Sequence, residues 1–292
     1  MDISLSIAGL KILLKNIKIK KIPSQFLPFV VENNNEKEDI NYKFLDIDML
    51  NQGHMKSILK TCRHEIYKDG NAYIKESWLR KEDGKEEHYY TKFEWGKREI
   101  KIYVPFRLLS AEFVEHYLNN LLMFDCVIGW HHRIIMHASI VNYNCEALLF
   151  TGPSGIGKST QSNLWQEYMG ADIINGDRAI LDVEKDGVVA YGSPYAGSSG
   201  IYRNEFCKVR AIIFLSQEPE NRIRKLSPAE AYKVLFPRFS MVRWDDVVAE
   251  EFMSTVAEII SRIPVYHLGC RPDKEAVGLA YQMVFSDDKI EI

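Results

Sequence analysis

The sequence has no run approaching the roughly 20 apolar residues that a membrane-spanning helix needs, and no Cys-x-x-Cys pair among its five cysteines, Cys62, Cys126, Cys145, Cys207 and Cys270. The first absence argues against a helical membrane protein. The second, with the odd count and wide spacings, argues against a disulfide frame or a thiolate zinc site and fits reduced thiols. An excess of one charge is also missing. The 37 basic and 40 acidic residues leave a net charge of −3, so nothing points to nucleic acid or an anionic membrane as a partner. Met1–Leu10 has no basic leader, and Lys11, Lys15 and Lys18 interrupt any apolar run that follows. No secretory signal is expected, and a cytoplasmic location is.

With 292 residues, 46% of them hydrophobic and 26% charged, the chain is long enough for one large domain or two smaller ones. Residues 1–108 read as a β-rich domain. Ile3, Leu5 and Ile7 alternate with polar residues, as do Ile17 and Ile19 with Lys18 and Lys20. The lysines between Lys11 and Lys21 read as the wet face of those strands. Glu32–Asp39 is a polar loop. Asn71–Leu79 and His88–Trp95 are strands flanking a charged turn, Lys81–Lys85, with Asp83-Gly84 at its tip. Glu99–Val104 is a further strand, closed by Pro105. A second domain, 109–292, is expected to open with a long helix. Ser110 caps it, and Phe113, Val114, Tyr117, Leu118, Leu121 and Leu122 recur at helical spacing toward Trp130. His131 and His132 fall at its C-terminus, where they favour the helix dipole.

From Ile134 onward the pattern becomes α/β. Short apolar runs at Ile134–Val141, Ala147–Phe150, Ile173-Ile174 and Val209–Leu215 read as strands, and Ala179–Val183 with Val188–Tyr191 as a hairpin around Asp186-Gly187. Helices are expected over Ser227–Leu235, Asp245–Arg262 and Pro272–Phe285, and Val265–Leu268 ends the sheet.

Between the second run and the helix to Tyr168 lies Gly152-Pro153-Ser154-Gly155-Ile156-Gly157-Lys158-Ser159-Thr160, which fits G-x-x-x-x-G-K-[ST] at every fixed position. The glycines permit backbone angles that turn successive N–H groups inward, and those donors with the following helix N-terminus form an anion cradle. Lys158 supplies a mobile positive charge to the β- and γ-phosphates, and Ser159 a hydroxyl for Mg²⁺. The residues therefore point to ATP with magnesium. The cradle also calls for a carboxylate near the metal. Asp177, directly after the strand Ile173-Ile174, is the first candidate, with Asp172 and Asp182 as competitors. His137, shortly before the loop, reads on spacing either as a structural hydrogen-bonding residue or as a functional one.

The ordered set His137-Ala-Ser, GPSGIGKST, Asn175-Gly-Asp-Arg178, Gly192-Ser-Pro-Tyr195 and Val209–Leu215 resembles proteins related to HPr kinase/phosphorylase, over roughly Ile134 to Phe285. That family shares its nucleotide-binding core with ATP-dependent phosphoenolpyruvate carboxykinase. The resemblance implies an α/β P-loop kinase core beside a smaller β-rich α+β N-terminal region. It also implies transfer of the ATP γ-phosphoryl to a hydroxyl, most naturally a serine of a protein or peptide acceptor, with a small molecule as the alternative acceptor and oligomers possible. It places His137 near the transferred phosphate, Lys158 and Ser159 on the nucleotide and metal, and Asp177 on the metal. It also exposes two departures. Of the family's two adjacent aspartates, the first, proposed as the base, falls on Gly176. The Arg-Gly-Leu-Gly-type segment is replaced by Ala196–Gly200, a candidate lid or substrate contact, followed by Arg203 and Glu205, with Glu205 either a substitute acid or a surface carboxylate. Arg238 and Arg243 fall where an arginine steadies the phosphoryl group. A non-catalytic ATP sensor is the third reading that the sequence allows, and Gly176 is its main support.

Overall fold

Alternating burial builds the first unit of the computed structural model, Met1–Trp130. In the strand Ile40–Leu45, Ile40, Tyr42 and Phe44 are buried and the residues between them are not. Its nine strands form one mixed sheet. Most pairs are antiparallel, but Ile40–Leu45 runs parallel to both Leu10–Lys15 and Glu99–Tyr103. The structure describes residues 1–33, 37–51, 55–80, 84–195 and 197–285, without the side chain of Ser198. Part of the Glu32–Asp39 loop, Lys81–Asp83 of the charged turn and Ala196 of the candidate lid lie outside the described residues.

Two expectations for this unit change. Ile17–Lys20 is not a strand: Asn16 adopts a left-handed conformation (φ 58°) that ends Leu10–Lys15, although Ile17 and Ile19 are still buried. The helix begins at Ala111, capped by Ser110, but stops at Leu122 because Met123 is left-handed (φ 45°), and two short turns follow, Phe124–Val127 and Ile128–His131. Its apolar stripe is consumed by the first unit's sheet. The Phe113 and Tyr89 rings meet edge to face at 6.0 Å, Tyr42 Oη donates to Leu122 O (2.7 Å), and Thr91 Oγ1 donates to Leu121 O (2.8 Å). The helix therefore belongs with residues 1–108, and the division falls at Trp130/His131 rather than at 108/109.

The second unit, His131–Ile292, is built on a mixed eight-stranded sheet. Arg133–Tyr143 pairs antiparallel with Glu146–Thr151 and Arg178–Glu184, and the hairpin expected at Asp186-Gly187 joins Arg178–Glu184 to Gly187–Tyr191. Gly187–Tyr191 pairs with Phe206–Gln217, which runs parallel to Glu146–Thr151 and so closes a ring of strands. Val265–Cys270 extends the sheet in parallel from Phe206–Gln217. Ile134, Met136, Ala147, Leu149, Leu181 and Val209 fill one core with the helices Pro228–Leu235 and Asp246–Arg262. Leu148, Phe150, Ile213 and Trp165 fill another with Lys158–Met169 and Lys274–Phe285. Three parallel strands thus end together where the glycine loop begins.

Leu149 is fully buried on the strand that leads into that loop. Truncation removes both transfer energy and packing, so Leu149→Ala is expected to lower unfolding free energy by about 2–5 kcal/mol, read from the shift of a urea denaturation midpoint at constant slope.

Candidate functional site

The strand Glu146–Thr151 ends at Gly152, and the helix Lys158–Met169 starts after Gly157. The three glycines of the loop have φ values of 153°, 76° and 112° at Gly152, Gly155 and Gly157. A Cβ on Gly152 would meet Ile156 Cγ2 at 3.0 Å and Leu215 O at 3.1 Å, so this turn is both left-handed and closely packed. Pro153, Ser154 and Gly155 are exposed, and Ile156 N donates back to Pro153 O (3.3 Å). The first-turn amides of the helix have no acceptor within it, and no acidic residue occupies that turn. The helix start therefore presents partial positive charge to anything bound in the loop. Ser159 and Thr160 are exposed at that start, and the Ser159 hydroxyl has no partner among the described residues. Behind them Ser162 Oγ bonds Ser139 Oγ (2.8 Å) and Lys158 O (3.0 Å), which ties the helix to the strand carrying His137.

Lys158 is nearly buried, at 8% exposure. Burial lowers its pKa, the nearby Asp177 charge opposes that shift, and Arg238 adds to it. Arg238 reaches the loop directly, with Nη1 3.4 Å from Gly152 O, while its buried Nε has no partner among the described residues. The segment carrying it is pinned beside His137. Phe239 bridges to Met136, and Ser240 N donates to Ile135 O (2.9 Å). Arg243, by contrast, is exposed.

Asp177 faces His137, with Oδ1 3.0 Å from Nε2 and Oδ2 3.5 Å from Arg178 Nε. The His137 hydrogen bond is the largest influence holding its carboxyl below the usual range, helped by the charges of His137, Arg178 and Lys158 and opposed by burial. The turn presenting Asp177 is set by the fully buried Asn175. Its Oδ1 accepts from Asp177 N (2.9 Å) and Arg178 N (2.8 Å), and its Nδ2 donates to Ser193 O (2.9 Å) and Tyr195 O (3.1 Å). Gly176 donates its N–H to Ile201 O (3.3 Å) and brings no side chain. A Cβ on Gly197 would fall 2.7 Å from Asp177 Cγ, so the backbone of the candidate lid lies directly against this carboxylate.

The competing acids are engaged elsewhere. Asp182 pairs with Arg133 (2.9 Å), and Asp172 and Glu205 lie 3.6 and 3.9 Å from Arg203. His132 lies 3.7 Å from Glu251 on the helix Asp246–Arg262. On the other side of the glycine loop opens a cavity of about 430 Å³, lined by Gly155, Gly157, Thr160, Gln217, Cys270 and Arg271 among others. Motif reading did not single out Asn175 by role, although Asn before Gly-Asp is a turn signal. Ser240 and Cys270 carry no local signal at all.

No protein-family model matches the chain, and no curated protein matches it. Among solved structures it is similar to the HPr(Ser) kinase/phosphatase from Coxiella burnetii, with a TM-score of 0.34 and 12% identity, over 53% of this chain and 98% of that one. A likeness of that size leaves the family unassigned. What the site can do rests on its own geometry.

Because the folded pKa of Asp177 is depressed, its bond to His137 contributes stability that is present above the unfolded value of 3.8 and lost as pH falls through the lower folded value. The wild type is expected to exceed Asp177→Asn in unfolding free energy at pH 6, with the gap closing below pH ~4. Urea melts of both proteins across that window check this, and a gap independent of pH contradicts it.

Proposed function

We propose that the second unit is a magnesium-dependent kinase that transfers the γ-phosphoryl of ATP to a hydroxyl, with a serine of a protein or peptide as the acceptor class. The observation carrying this reading is the meeting, at one place, of an anion-ready helix start, the nearly buried Lys158 and the Asp177–His137 pair. The charge of Asp177 acts on Lys158, so the cradle and the carboxylate are neighbours in space although 19 residues, 158 to 177, separate them in sequence.

The loop amides and Lys158 hold the phosphates, and Arg238 adds a second positive charge beside Gly152. The residues fit magnesium. The Ser159 hydroxyl and the Asp177 carboxylate are hard oxygen donors of the kind the ion takes together with phosphate oxygens and water. Bound there, magnesium would neutralise charge across the β- and γ-phosphates. The cavity of about 430 Å³ beside Thr160 is of ligand size and suits the nucleoside.

Asp177 is held below the usual carboxylate range, which suits metal binding better than proton abstraction. An imidazole oriented by a carboxylate is the better acceptor at neutral pH. His137 Nε2 is engaged by Asp177, so the acceptor hydroxyl's proton goes to Nδ1 as its oxygen bonds the phosphorus and the ADP oxygen leaves. On this account His137 stands in for the aspartate that Gly176 replaces. The ordered motifs resembling HPr kinases support the reading, and so does the backbone of Gly197 against Asp177, where a lid would act.

Gly176 favours one rival, a protein that binds ATP without transferring it. Calorimetry and phosphotransfer separate the two. Lys158→Ala is expected to weaken Mg-ATP binding at least ~10-fold. His137→Ala is expected to leave that affinity within ~2-fold while lowering transfer by ~10²–10⁴. Acceptors are found by mass spectrometry of a lysate treated with Mg-ATP and the protein, with Lys158→Ala as control. Tight binding with neither transfer nor ATP turnover sinks the kinase and leaves the sensor. No binding sinks both.

A further inference from the structure

Asn144 and Cys145 form the turn between the strands Arg133–Tyr143 and Glu146–Thr151, with φ values of 50° and 64°. Two left-handed residues between the facing pair Tyr143 and Glu146 make a tight hairpin whose second position strongly favours glycine. A residue with a Cβ is disfavoured there, yet this position holds a cysteine. Local conflict of this kind is where a side chain with a task is to be sought.

The neighbouring strand supplies the partner. Glu146–Thr151 runs parallel to Phe206–Gln217 in the register Glu146↔Lys208 and Ala147↔Val209. One step earlier in the chain lie the turn residue Cys145 and the strand residue Cys207. Adjacent strands sit about 4.8 Å apart, a separation that a disulfide spans.

Tyr143 and Glu146, which bracket the turn, share a face. Tyr143 packs its ring on Trp165 and Phe285, and Glu146 lies 3.7 Å from Arg210, whose guanidinium covers Phe285. Both therefore lie on the side of the helices Lys158–Met169 and Lys274–Phe285. Cys207 and Val209 belong to the opposite core. Cys145 is the turn residue immediately before Glu146–Thr151, and its charge acts on Cys207, so the two thiols are neighbours. Both thiols are free; Cys145 is exposed and Cys207 is 8% exposed. Burial, followed by the charge of Cys145, pushes the Cys207 thiol up to about 11.

We infer that Cys145 and Cys207 are a dithiol pair, a redox modification site at which a low-molecular-weight disulfide such as oxidised glutathione forms a Cys145–Cys207 bridge. The exposed Cys145 thiolate attacks one sulfur of the glutathione disulfide, forming a mixed disulfide and releasing one glutathione thiol. The Cys207 sulfur then attacks the Cys145 sulfur and displaces the second glutathione. The protein loses two protons and two electrons, and the oxidant becomes two thiols, so the exchange balances. The bridge encloses residues 146–206, which carry the glycine loop, Lys158 and Asp177. The inference does not depend on the nucleotide reading.

The test is peptide-mapping mass spectrometry of the full chain after incubation with oxidised glutathione and alkylation of the remaining thiols. The wild type is expected to yield a reducible Cys145–Cys207 peptide. Its thermal midpoint is expected to rise on the order of 5–10 °C over the reduced form. Cys207→Ser, or Cys207→Ala if the serine variant does not fold, is expected to stop at a glutathione adduct on Cys145. A stable adduct on wild-type Cys145 with no linked peptide overturns the inference, as does a bridge that joins other cysteines.

Discussion

Asn175 ends a buried strand with no access to water, so each polar atom of its amide has to be satisfied by the chain around it. One oxygen takes the amides of Asp177 and Arg178, and one nitrogen serves the carbonyls of Ser193 and Tyr195. Three consequences follow from this single side chain. The turn at Gly176 is closed, Asp177 is aimed at His137, and the segment entering the candidate lid is anchored beside it. Ser193 Oγ completes the joint by donating to Arg178 O (2.7 Å). A buried network satisfied this fully specifies one arrangement.

Around that joint the charges are arranged asymmetrically. Lys158 and Arg238 stand on the glycine-loop side, where the Arg238 charge adds to the burial that weakens Lys158's hold on its proton, while Asp177 is shared among His137, Arg178 and Lys158. Two cations brought close in a partly buried place, one with an unpartnered Nε, form a site waiting for negative charge. The helix start adds to the same side. On the proposed reading, a triphosphate is the ligand that would answer all of these at once.

How much of this was legible follows from how local each signal is. The glycine loop was readable because its geometry is fixed by residues within nine positions of one another. The strands of the second unit, the hairpin at Asp186-Gly187 and the capped helix after Ser227 were readable for the same reason, down to the reciprocal Ser227–Glu230 cap. Arg238 is different. What makes it part of the site is the bridge between Phe239 and Met136, a tertiary pairing that leaves no periodicity in the sequence. The expected helix to Trp130 failed at Met123, where one left-handed residue outweighed an apolar pattern that continued past it. Asp177 ranks ahead of Asp172 and Asp182 on its place after a strand, but spacing names no partner for any of the three. Only the fold shows that Arg203 and Arg133 engage the outer two while Asp177 meets His137.

The central claim is that the loop Gly152–Thr160 and the turn at Asp177 form one binding site for a magnesium nucleotide. Amide hydrogen exchange of the full chain, with and without saturating Mg-ATP, tests it most directly. Slowed exchange in both 152–160 and 175–178, with the first unit's sheet unchanged, is the result the account predicts. Protection absent from the glycine loop, or present there and absent around Asp177, would contradict it.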